Sequence, residues 1–125
     1  MSNDKLIADL ADTARKAART LVAATHEERK SALLAIADAL LVRQSEIIAA
    51  NAEDMERGKS SGLNSQRLDR LMLNESRIQG IAGGARKVAA LPNPLGNVLR
   101  ERTLESGLKL TQVSVPFGVV GMVYE

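Results

Sequence analysis

Few residues in this chain have the chemistry of a catalyst. No cysteine occurs among its 125 residues. Disulfides, thiolate metal sites and a thiol nucleophile are therefore excluded within the chain. His26 is the single histidine, so a zinc site built from His and Cys is excluded too. It stands beside Glu27 and Glu28 at an expected helix start, with no visible partner to position it as a general base. It reads as a surface histidine. Glu53 and Asp54 are adjacent, and neighbouring side chains on a helix do not face each other. They read as acids at the positive end of a helix that Asn51 caps. Arg67 with Arg70, and Arg100 with Arg102, have the charge for anion clamps, but the same spacing is ordinary on a helix or strand surface. The stretch Phe117-Gly118-Val119-Val120-Gly121 has two glycines without the Gly-x-Gly-x-x-Gly loop that cradles a pyrophosphate. Its glycines read as allowing close packing of a core strand. Glu125 is the last residue, and the terminal carboxyl beside it argues against a catalytic role.

The elements expected to carry these residues are mostly helical. Leu6, Ile7, Leu10, Ala11, Ala14, Ala17, Ala18 and Leu21 recur at helical spacing over 4–23. Thr25 and Glu28 have the spacing of a capping box. They precede a second helix from His26 to about Arg43, which continues or kinks through Ile47 and Ile48. A short helix capped by Asn51 is expected to end near Gly58, and Lys59-Ser60-Ser61-Gly62 reads as a linker. A helix over 65–73 and another capped by Asn74 follow, the latter with Ile78, Ile81, Ala82, Ala85, Val88 and Ala89 on one face. Gly83-Gly84 lies inside it; a close neighbouring backbone and a kink are two possible reasons.

Pro92-Asn93-Pro94 ends the helical pattern. Val98–Leu104 and Leu108–Val115 then read as a hairpin around Glu105-Ser106-Gly107. Leu108 and Leu110 share one face while Val113 and Val115 share the other, so a bulge near Thr111-Gln112 is expected. Residues 118–124 are apolar on both faces, the pattern of a central parallel strand. Such a strand needs neighbours on both edges and layers on both faces. The sequence supplies none after it, so the chain reads as part of a larger α/β architecture.

Composition narrows the function classes. The 17 basic and 15 acidic residues leave a net charge of +2, and no run of Lys or Arg resembles a nucleic-acid patch. Charges of both signs alternate along helical faces and read as solvated surface. Tyr124 and Phe117 are the only aromatic residues, so the core must be built from aliphatic side chains and alanine. No signal peptide or membrane span is evident, and a soluble, cytoplasmic protein is expected.

Residues Ser106-Gly107-Leu108 and Val113-Ser114-Val115-Pro116-Phe117-Gly118-Val119-Val120-Gly121-Met122-Val123-Tyr124-Glu125 resemble the γ-glutamyl phosphate reductase family. In that family the stretch precedes an Ala-Arg-Pro-Asn loop. Upstream, Ile47 to Met55, Leu68-Asp69-Arg70-Leu71, Arg77-Ile78 and Gly80-Ile81-Ala82 match in order and approximate spacing. The resemblance spans nearly the whole chain and points to the N-terminal part of the enzyme.

The resemblance implies an α/β, aldehyde dehydrogenase-like fold. Of it, this chain would supply only the N-terminal helices, a β-hairpin and the first strand of the nucleotide-binding sheet. Residues 1–97 would be the helical part of the nucleotide-binding domain and 98–116 an oligomerisation hairpin, leaving 117–125 as the first sheet strand. The implied reaction is NADPH-dependent reduction of L-glutamyl 5-phosphate to L-glutamate 5-semialdehyde in proline biosynthesis. A cysteine attacks the acyl phosphate, phosphate leaves, and the nicotinamide supplies a hydride. Without a cysteine, this chain has no catalytic residue to carry over, and it is expected to be inactive alone. Val123, Tyr124 and Glu125 would lie near the NADP cofactor, as ligands of open α/β sheets bind at strand carboxyl ends. A homo-oligomer through the hairpin is implied, with no nucleic-acid or membrane partner. The competing reading is a non-catalytic helical module that docks its exposed strand on a partner sheet. The absence of charge or proline along 118–124 speaks against it.

Overall fold

The structure, a computed structural model, describes residues 3–123. Five helices precede one hairpin: α1 (Asn3–Ala23), α2 (His26–Val42), α3 (Gln44–Ser60), α4 (Ser65–Leu71), α5 (Glu75–Ala89), β1 (Val98–Thr103) and β2 (Lys109–Val113). Residues Glu27–Leu91 cluster as one unit; the described residues before and after them form the other. No described helix is long and apolar enough to cross a membrane.

The unit of α2 to α5 has a small aliphatic core. Ala37, Ile78, Ala82 and Ala89 are its buried apolar side chains, and only Ile78 among them is large. Full burial of one such isoleucine contributes about 1.5–3 kcal/mol. Helix α3 packs against both α4 and α5. An Arg86–Asp38 ion pair of 2.6 Å joins α5 to α2.

Helix boundaries follow local chemistry. The helical pattern breaks at Arg43, whose φ of −100° and ψ of 16° separate α2 from α3. Helix α3 is longer than the sequence pattern predicts, so Asn51 lies inside it and caps nothing. Its C-terminus is a complete Schellman motif. Leu63 N–H donates to Gly58 O and Gly62 N–H to Lys59 O, both at 3.0 Å, which satisfies two orphan carbonyls. Gly62 takes the left-handed φ of 78° this requires. The expected linker is thus a helix cap. Asn64 and Asn74 cap α4 and α5, accepting from Arg67 N–H at 3.0 Å and Arg77 N–H at 2.9 Å. Helix α5 runs unbroken through Gly83 and Gly84, and a Cβ at either would meet nothing within 4 Å. No close neighbouring backbone among the described residues accounts for that pair.

The hairpin forms where the sequence predicts it. Leu104 N–H donates to Leu108 O and Gly107 N–H to Leu104 O, each at 2.9 Å, across the turn. Ser114 staples its base: the hydroxyl donates to Pro94 O at 2.6 Å and accepts from Asn97 N–H at 3.0 Å. The irregularity lies between Val98 and Arg100 on β1, while β2 runs on regularly through Thr111 and Gln112. Every residue of both strands is exposed. Neither face is buried, so hydrophobic alternation does not dictate the register.

The expected strand at the C-terminal end is not formed. Residues 117–123 have no regular structure, and among the described residues no strand pairs with them. A strand exists only through its ladder to a neighbour. Gly118 also has a φ of 85°, which is incompatible with extended backbone at that residue. Tyr124 and Glu125 lie outside the described residues.

Candidate functional site

The sequence-selected residues do not converge on a catalytic constellation. His26 is half-buried at the first residue of α2. Among the described residues, no group of three or more His, Asp or Glu side chains is placed to hold a metal ion. Glu53 is exposed, and Asp54 pairs with Arg57 one turn on. Their adjacency is therefore ordinary helix surface. Arg70 borders a shallow polar indentation with Ser65, Gln66 and Asp69. Arg100 and Arg102 border another of about 260 Å³ with Leu110, Thr111 and Gln112. Val123 is fully exposed. No helix N-terminus follows the Gly118 and Gly121 stretch among the described residues. These residues by themselves do not form a dinucleotide cradle.

An apolar groove is lined by α2 and α3. Its volume is about 450 Å³, and its lining is Ile36, Ala39, Leu40, Arg43, Glu46, Ile47 and Ala50. Arg43 and Glu46 are the charged residues of its lining. The guanidinium donates to Glu46 Oε2 at 3.1 Å from Nε and 2.7 Å from Nη2. This forked hydrogen bond, with the charge attraction behind it, lowers the Glu46 carboxyl and raises the Arg43 guanidinium from their usual ranges. Both groups are ionised and mutually neutralised, so the groove offers neither an acid, a base nor a free charge.

Two polar side chains whose role the sequence did not reveal organise the joint between α4 and α5. Asn51 is 7% exposed. Its Nδ2 donates to Leu71 O at 2.9 Å, and its Oδ1 accepts from Leu73 N–H at 2.7 Å. Arg77 grips the same segment from the other side. It donates to Met72 O and Asp69 Oδ1, each at 2.8 Å, and also to Asp69 O. Between them these side chains satisfy the carbonyls of Asp69, Leu71 and Met72 at the end of α4. The signal for Asn51 was its spacing, four residues after Ile47 and four before Met55, which places a polar residue on the buried stripe.

Comparison with known proteins supplies what the site does not. No protein-family model matches the chain. Two γ-glutamyl phosphate reductases are among the solved structures similar to it. The γ-glutamyl phosphate reductase of Thermotoga maritima matches at 35% identity and a TM-score of 0.78, over 85% of this chain and 26% of its own. The γ-glutamyl phosphate reductase of Saccharomyces cerevisiae matches at 36% identity and a TM-score of 0.78, over 93% of this chain and 29% of its own. The resemblance read from the motifs is therefore upheld by backbone and sequence together. The chain is related to the γ-glutamyl phosphate reductases and spans little more than a quarter of the length of the two it matches.

Proposed function

We propose that the chain supplies one part of an oxidoreductase that reduces L-glutamyl 5-phosphate to L-glutamate 5-semialdehyde in proline biosynthesis, with NADPH as the reductant. The observation that carries this reading is the match of most of the chain to two reductase structures at more than a third identity. The absence of any cysteine assigns the thiol chemistry to polypeptide other than these 125 residues. When bound, the nicotinamide supplies the hydride. Val123, Tyr124 and Glu125 would border it in an intact reductase, a placement that rests on the family resemblance alone. The described residues provide a scaffold: α3 to α5 held by Asn51 and Arg77, α2 tied to α5 by Asp38 and Arg86, and a hairpin available for subunit contact. On this reading the protein is cytoplasmic and the assembled enzyme a homo-oligomer through 98–116.

A complementation experiment tests it. This chain is co-expressed with a reductase polypeptide lacking the matching segment, and phosphate-dependent NADP reduction is followed with glutamate semialdehyde. Restored turnover is expected, with none from the chain alone. Two soluble parts that copurify without turnover would count against the assignment.

A further inference from the structure

The hairpin carries two settings of its register, and they disagree by one residue. At the turn, Glu105-Ser106-Gly107 and the Leu104 N–H to Leu108 O bond of 2.9 Å fix the pairing, as turn type and loop length do in hairpins. Counting back from that bond, Thr103 faces Lys109, Arg102 faces Leu110, Glu101 faces Thr111 and Arg100 faces Gln112 without a gap. Continued regularly, the ladder would set Leu99 against Val113 and Val98 against Ser114. It does not continue so. Val98 faces Val113, and Ser114 N–H donates to Asn97 O at 3.0 Å. Leu99 is the extra residue of β1 that reconciles the two settings, which makes it a bulge.

The second setting is centred on Ser114, where four hydrogen bonds meet. The hydroxyl donates to Pro94 O at 2.6 Å and accepts from Asn97 N–H at 3.0 Å. The Ser114 N–H donates to Asn97 O, and the Ser114 carbonyl accepts from Gly96 N–H, both at 3.0 Å. Gly96 makes that approach at a φ of 76°, a conformation open to glycine. Bonded and non-bonded pairs alternate along an antiparallel ladder from Leu104 and Leu108, so in the regular register Val98 and Ser114 would exchange two backbone bonds. The observed setting therefore has the advantage, and the hydroxyl supplies it. Without the hydroxyl each setting keeps two backbone bonds, and only the regular one spares Leu99 from standing out of the ladder.

We propose that Ser114 is a register lock. Its hydroxyl holds residues 94–98 one residue out of step with the turn, and its loss lets that segment slide by one residue, about 3.4 Å along the strand. The lock decides whether Val98 or Leu99 faces Val113, and so where the chain leaving Pro92-Asn93-Pro94 enters the hairpin. NMR on the full chain tests it. In the parent, a coupling across the hydrogen bond should join the Ser114 amide to the Asn97 carbonyl. In Ser114→Ala the acceptor should become the Val98 carbonyl. Leu99 and Val113, then a non-bonded pair with Cα atoms about 4.5 Å apart, should gain an Hα–Hα contact. Ser114→Thr keeps the hydroxyl and should keep the parent pattern. Deleting Leu99 brings the two settings into step and should leave the Asn97 acceptor in place. The Glu101–Thr111 Hα–Hα contact, set by the turn, should persist in every variant. An Asn97 acceptor unchanged in Ser114→Ala, or lost in Ser114→Thr or on deletion of Leu99, would overturn the lock. So would loss of the Glu101–Thr111 contact in any variant, since Ser114 would then hold the hairpin as a whole and not its register.

Discussion

Replacing Asn51 by alanine is expected to loosen the joint on which α4 and α5 are set. The side chain makes two hydrogen bonds, at 2.9 Å to Leu71 O and 2.7 Å from Leu73 N–H. A typical intramolecular bond contributes about 1 kcal/mol net, and a partner left buried and unpaired costs about 1–3 kcal/mol. Leu71 and Leu73 are half-buried, so water reaches part of the vacated site. The expected loss is about 2–3 kcal/mol for N51A. For a unit the size of Glu27–Leu91 this corresponds to roughly 10–20 °C in Tm. N51D is the sharper probe. It keeps an acceptor for Leu73 N–H but turns a second acceptor toward Leu71 O, at the negative end of α4. A loss at least as large as that of N51A is expected. Urea unfolding followed by far-UV circular dichroism measures both. An N51A variant within about 0.5 kcal/mol of the parent, the range of featureless surface substitutions, would refute the reasoning, as would an N51D variant of undiminished stability.

Gly58→Val should destabilise the same unit by about 1–3 kcal/mol through overpacking, since even a Cβ there would stand 3.0 Å from Leu63 and 3.2 Å from Leu68; thermal unfolding reads it, and an unchanged Tm would show the leucines yielding freely. The Glu46 carboxyl is lowered by Arg43, so its contribution is present above the ordinary carboxylate range and fades as pH falls through its own lower value. Carbon-detected NMR titration of Glu46 should show the value return upward in Arg43→Met, and an unmoved titration would remove Arg43 as the cause. The Arg86–Asp38 pair is largely exposed, with side-chain accessibilities of 43% and 67%. A double-mutant cycle should therefore give no more than about 1 kcal/mol, reduced by salt, and a larger coupling would mean the pair is shielded from solvent.

The order of elements was legible because helices announce themselves by spacing. Of the predicted α5 face, Ile78, Ala82 and Ala89 are buried and Ala85 is half-buried, while Ile81 and Val88 are exposed. The turn at 105–107 and the Asn74 cap were legible for a similar reason, since each depends on a few adjacent residues. What escaped was set by contacts distant in sequence. Asn51 looks like an N-cap until Leu71 and Leu73 are brought beside it, more than a helix away. The bulge was misplaced because the two-sided exposure of the hairpin removes the alternation that fixes phase. The strand at 118–124 was read from composition alone, and composition records a preference for burial without supplying the neighbour that burial needs. For the site, the sequence pointed to a family through its motifs, while the candidate residues it offered do not converge among the described residues.

The alanine-lined core sets an asymmetry on how this sequence can vary. Ala37, Ala82 and Ala89 hold the buried positions with little side chain to delete, so truncation, the commonest route to damage in a thick core, has almost nothing to act on outside Ile78. Growth is the damaging direction: each added methylene must push a helix, since closely packed interiors hold no spare volume. Drift at these sites is therefore confined to a narrow band of small residues. The exposed leucines and isoleucines elsewhere on the helices are under no such limit.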